Sequence, residues 1–228
     1  MSLLYFCIGT ILASFTTLCA WRIPQGISII IPRSSCDSCH HLLKHWQLIP
    51  IIGFVIQKGK CHFCKQRISC VSFINELCIG TFCHICSQLP MQLFVGYLLV
   101  FLTLIFISTM DLEFGYIYPI CLLGLTPCFF LLPLPNYQSY TFWIATIFIL
   151  LLLLFLSLYC KSLGFADVEL IMICQFVWGF YLTNMIILSS SLIATVWMLF
   201  FKHHDRIPFL PFLCSATMLV ILWQMNMY

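Results

Sequence analysis

Residues 92–110 read QLFVGYLLVFLTLIFISTM, and Asp111 follows directly. The run carries no charge and no proline, and its length matches the ~20 apolar residues a helix needs to cross a bilayer. It lacks the alternation of polarity over ~10 residues that a membrane barrel strand would show. Comparable runs lie at 3–21, 71–88, 115–132, 141–160, 168–184, 186–201 and 208–226. The expected fold is therefore all-α: a polytopic membrane protein with about eight transmembrane helices, the sixth and seventh joined by a very tight turn. Its two parts are 1–90, holding the first two spans and the loop between them, and 91–228, a membrane-embedded domain. The whole composition agrees. Of 228 residues 62% are hydrophobic and 7% charged, with a mean hydropathy of +1.06, and a water-facing globule of that size could not bury so much apolar surface.

Charge fixes an expected orientation. Seven of the ten Lys and Arg residues (Arg22, Arg33, Lys44, Lys58, Lys60, Lys65, Arg67) fall in the long loop 22–70, which the positive-inside rule puts in the cytoplasm. With eight spans and both termini outside, Lys161, Lys202 and Arg206 fall inside as well. The first span has no basic start and no small-residue cleavage site, so it reads as an uncleaved anchor.

Within the loop, Cys36-Asp-Ser-Cys39 and Cys61-His-Phe-Cys64 are separated by 21 residues. Two such pairs have the spacing of a four-thiolate zinc site, which is closed and structural because no position is left for water. A cytoplasmic loop keeps these thiols reduced. His40, His41 and His62 stand beside the pairs as possible substitutes. A further pair, Cys83 and Cys86, lies inside the second span and reads as apolar filler, and no disulfide is expected among the fifteen cysteines.

Seven acidic residues occur in the chain. Asp37 belongs to the cysteine loop, Asp205 sits among His203, His204 and Arg206, and Glu76 opens the second span, where a carboxylate can snorkel to water. The remaining four form two clusters, Asp111 with Glu113 and Asp167 with Glu169, both at cytoplasmic ends of spans in the expected topology. Two carboxylates on different helices at one depth can share a proton, as in an aspartic protease dyad. Gly164 and Ala166 would let a substrate backbone approach Asp167. Glu113 and Glu169 follow the aspartates by two residues, a turn of ~200° that directs them elsewhere. Interface carboxylates, or the ion path of a transporter or channel subunit with a zinc-stabilised loop, remain the competing readings.

Taken together these residues resemble the type IV prepilin leader peptidases, of the Gram-positive competence kind in its small size. The likeness runs through Pro32 to Cys36, the two Cys pairs, Ile49-Pro50-Ile51 and Gly59-Lys60-Cys61. It continues through Ile68 to Glu76, Asp111 with Glu113, Ile117 to Pro119, Gly164 to Leu170 and Ile207 to Phe212. It implies an aspartic endopeptidase that removes the basic leader of prepilin or pseudopilin precursors at the cytoplasmic face of the cell membrane. It also implies Asp111 and Asp167 as the catalytic pair, and Cys36, Cys39, Cys61 and Cys64 as zinc ligands. Many members also methylate the new N-terminus with S-adenosylmethionine; no glycine-rich nucleotide loop here supports that activity, so this cofactor is expected only if methylation is retained. The expected partners are the precursors and the lipid bilayer, with no nucleic acid. Departures from the family pattern are Ala166 at a glycine position, Glu169 at a lysine position, Tyr118 inserted before Pro119, and Leu210 in place of a glycine. A zinc-dependent methyltransferase without protease function would leave the aspartate pair unexplained, and a presenilin-type protease would leave the cysteine loop unexplained.

Overall fold

The computed structural model describes residues 2–133, 140–159, 164–201 and 208–226. Within them all the regular structure is helical, with two isolated bridges and no strand, and the loop 23–44 is irregular. The α-helices are α1 (Ser2–Arg22), α2 (Ile52–Ile56), α3 (Val71–Ile85), α4 (Met91–Phe114), α5 (Cys128–Leu131), α6 (Tyr140–Leu158), α7 (Phe165–Phe201) and α8 (Leu210–Asn226). Four of them, α1, α4, α6 and α7, are long and apolar enough to cross a membrane. The chain divides into two compact units, Met1–Phe94 and Val95–Tyr228, the division falling inside α4.

In the first unit α1 packs along α3 through small residues. A Cβ added to Gly9 would stand 2.7 Å from Cys83 Sγ, and one added to Gly80 would stand 2.7 Å from Thr10 Cγ2. Such close approach supplies the dispersion contacts that hold two apolar helices together where the hydrophobic driving force is weak. Asn75 Nδ2 donates to Thr17 Oγ1 at 3.0 Å across the same seam. Cys83 and Cys86 are both buried, as packing material would be. Where α1 ends, Arg22 folds back and its Nη1 donates to the carbonyls of Ser28 and Ile29, at 3.0 and 3.1 Å. The guanidinium is buried and serves to hold the turn leading into the loop.

The second unit departs from the expected spans in two places. The segment 115–132 is not a continuous α-helix: α4 stops at Gly115, whose φ of 68° is left-handed, and a 3-10 stretch Pro119–Leu125 precedes the single turn of α5. Pro119 and Pro127 explain this, since each removes a backbone donor and crowds the preceding turn. The two runs expected at 168–184 and 186–201 lie in α7, whose break is at Gly179 (φ 81°, ψ 179°) and not near residue 185. That backbone conformation is essentially restricted to glycine. A straight helix of 37 residues would be ~55 Å long, well beyond the ~30 Å hydrocarbon core. The break therefore divides α7 into two rods, Phe165–Trp178 and Phe180–Phe201. α8 and α6 pack against α7, with buried Leu122 and Leu125 of the 3-10 stretch also in this unit's core.

Candidate metal centre and candidate active site

The four sulfurs of Cys36, Cys39, Cys61 and Cys64 lie within 4.8 Å of one another. Sequence offset alone does not explain this; the local folds do. In the first knuckle Cys36 N–H donates to the His41 carbonyl, His40 N–H to the Cys36 carbonyl and Leu43 N–H to the Ser34 carbonyl. In the second, Cys61 N–H donates to Gln66, Lys65 N–H to Cys61 and Ile68 N–H to Gly59. The two patterns are the same ten-residue unit, 34–43 and 59–68, each with a bridge (Ser35 to Leu42, Lys60 to Arg67) and a positive-φ residue at its turn, His40 at 55° and Lys65 at 61°. His41 of one knuckle packs against Phe63 of the other, the rings tilted by 41° with centroids 3.6 Å apart.

The donor set fits a tetrahedral metal. Cys36 Sγ and Cys64 Sγ are 3.8 Å apart, close to the edge of ~3.8 Å that ~2.3 Å metal–sulfur bonds produce and far from the ~2.05 Å of a disulfide. The backbone N–H groups of Cys64 and Phe63 draw the Cys61 thiol down to about 6. The Gln66 N–H pulls Cys64 the same way, but desolvation and the neighbouring sulfurs prevail and push it up to about 11. Crowded thiols cannot all ionise without a cation between them.

Glu76 does not snorkel. It is buried, its Oε2 accepts the Ile51 N–H at 2.7 Å and its Oε1 accepts the Ser72 hydroxyl at 3.0 Å. Ile51 occupies φ 62°, ψ −55°, and Ile52 N–H donates to the Pro50 carbonyl at 2.6 Å across it. This is the rare, strained form of γ-turn, unusual for a β-branched residue.

In the second unit Asp111 occupies the last turn of α4 and Asp167 the first turn of α7. Asp167 is buried and Asp111 half-buried. Each carboxylate is within electrostatic reach of the other, and both reach the buried thiol of Cys214 on α8. The sequence offered no signal for Cys214, one of many apolar cysteines. Asp167 Oδ2 accepts the Gly164 N–H at 3.1 Å, half of a capping box in which the third helical residue reaches back to the cap. Gly164 permits it: a Cβ there would sit 3.3 Å from that same oxygen. Ala166, between them, is half-buried, while Glu113 and Glu169 are exposed. At the other helix, Gly115 N–H donates to the Asp111 carbonyl at 3.0 Å and closes α4 just beyond the carboxylate.

An all-helical chain with several spans and a four-thiolate cluster defines a class of integral membrane protein, and comparison with known proteins narrows it. Residues 7–89 match the Bacterial Peptidase A24 N-terminal domain. A prepilin leader peptidase/N-methyltransferase of Bacillus subtilis is 39% identical over 112 residues, covering 48% of this chain and 45% of that protein. One of Myxococcus xanthus is 30% identical over 83 residues, covering 36% and 25%. One of Legionella pneumophila is 24% identical over 217 residues, covering 86% and 74%. Residues 7–89 therefore resemble the N-terminal domain of these peptidases, and the chain spans less than half the length of the Bacillus subtilis protein it matches. No solved structure matches it.

Proposed function

We propose that this protein is a membrane aspartic endopeptidase that removes the basic leader from prepilin or pseudopilin precursors at the cytoplasmic face of the cell membrane. What supports the reading is that Asp111 and Asp167 stand at the ends of two helices, that Asp167 is buried, and that the charge of Asp111 acts on it. In the proposed mechanism the two carboxylates come together on substrate and share a proton. The ionised member takes a proton from water as the oxygen attacks the scissile carbonyl, and the protonated member donates to the carbonyl oxygen. Collapse of the tetrahedral species returns a proton to the leaving amine, breaks the C–N bond and restores the shared proton. Gly164 and Ala166 keep the approach to Asp167 free of bulk.

In this reading zinc is the ion held by Cys36, Cys39, Cys61 and Cys64, and its chemistry is to cross-link the loop, since four thiolates leave no position for water. About eight crossings follow if α3, the Pro119–Leu131 stretch, α8 and the two rods of α7 join α1, α4 and α6. Both termini then face outside. No methyl transfer, and so no S-adenosylmethionine, is included.

The test is cleavage of a pseudopilin precursor by membranes holding Asp111→Asn or Asp167→Asn protein. Each variant should insert normally and release no leader. Cleavage by well-expressed Asp167→Asn protein would overturn the mechanism and move the transporter reading, which the broken α7 would suit, to first place.

A further inference from the structure

We infer that α2 and the turn before it form a lipid-docking surface, which lays the cysteine loop on the anionic headgroup layer of the membrane that holds α1. The helix is turned inside out by the standard of a water-facing loop. Ile52, Val55 and Ile56 of α2 and Ile49 of the turn before it are 52%, 57%, 59% and 45% exposed. The other residues of α2 meet protein: Gly53 is buried so closely under Gln47 that a Cβ would overlap the Gln47 carbonyl, and Phe54 stacks on Phe73 at 4.7 Å and 20°.

The apolar face is not a floppy excursion. Gln47 Nε2 donates to Gln57 Oε1 at 2.9 Å, Gln57 Nε2 donates to the Gly53 carbonyl at 2.9 Å, and Glu76 anchors Ile51. A contiguous apolar patch held in place this way marks a contact surface. Two observations select lipid as the occupant. Phe73 lies at the start of α3, which packs along α1, so its contact with Phe54 holds α2 at the end of the candidate span α1 that Arg22 closes. Lys58 and Lys60, both exposed, border the patch, and residues 22–70 hold seven basic residues against the single exposed acid Asp37. An apolar face rimmed by lysines is the pattern of an interfacial helix on anionic lipid.

The experiment uses the full chain with its metal, in nanodiscs of phosphatidylcholine alone or mixed with phosphatidylglycerol. A benzophenone amino acid replaces Ile52, Ile56 or, as control, Lys65 on the second knuckle. Retention of the metal verifies that each variant is folded. Lipid adducts at positions 52 and 56 should exceed those at 65 several-fold, rise with phosphatidylglycerol, and lose that rise in Lys58→Gln, Lys60→Gln protein or in high salt. Adducts no greater than at position 65, or crosslinks falling instead on a second copy or on residues 95–228, would overturn the inference. Hydrogen exchange of the unsubstituted chain gives an independent reading: amides 52–57 should exchange more slowly in the anionic discs, and equal rates in both disc types would also count against it.

Discussion

Asp167 is held by a glycine. Because Oδ2 accepts the Gly164 N–H and a Cβ would stand 3.3 Å from it, Gly164→Ala must shift the carboxylate by a few tenths of an ångström. Catalytic groups displaced by small distances lose large factors in rate, so leader cleavage by Gly164→Ala membranes should fall well below that of Ala166→Gly, which adds no atoms and should stay near the parent rate. Glu113→Gln and Glu169→Gln, altering exposed groups, should retain most activity. If the two aspartates act as one unit, Asp111→Asn, Asp167→Asn double protein should be no worse than either single variant.

Glu76 is the residue whose sequence context misled. A carboxylate six residues into an apolar run looks like an interfacial group, and the partner that removes it from water, the Ile51 N–H, is 25 positions away on a loop. Glu76→Ala would leave that donor and the Ser72 hydroxyl without their acceptor, at a cost of about 1–3 kcal/mol. The expected readout is faster amide exchange at Ile51 and a lower melting temperature of the first unit, with metal content unchanged because Glu76 is no ligand.

Among elements, the cysteine knuckles were the most legible, since ligand spacing in a knuckle is set by three consecutive peptide units and needs no knowledge of the rest of the chain. Removing the metal should therefore act locally. A strong chelator should open residues 34–68 to proteolysis while α1 and α3 stay packed, because the Gly9 and Gly80 contacts owe nothing to the four loop thiols. Serine at Cys36 and Cys64 together should abolish stoichiometric zinc. The long apolar helices were legible for a similar reason: length and composition settle them. Segment 115–132 was not, because its apolar composition is that of a span while its geometry is decided by Gly115, Pro119 and Pro127 acting on the backbone. Gly179 was likewise hidden, one glycine among several in apolar surroundings, whose φ alone distinguishes it.

For the whole molecule the charge distribution remains the guide to orientation, and it makes a prediction that the contacts within each unit do not. Single cysteines introduced into a Cys-reduced variant should label from the inside near Lys58 and from the outside at the N-terminus. Strong outside labelling near Lys58 would reverse the loop and place the proposed chemistry on the wrong face for leaders that have not yet crossed. The pairing of Asp111 with Asp167 is an expectation from two clusters of acid in an apolar chain, whereas Cys214, whose thiol both carboxylates influence, could be found only once α8 was placed beside α7.

The break at Gly179 also bears on how the protein is made. The rod that carries Asp167, Phe165 to Trp178, is ~21 Å long, shorter than the ~30 Å hydrocarbon core, so its insertion as a crossing depends on the segment that follows. A nascent chain halted at Trp178 should accordingly leave this stretch extractable from membranes by alkali. The same chain extended through Phe201 should retain it, so that biogenesis commits Asp167 to the bilayer only when the following rod has been synthesised.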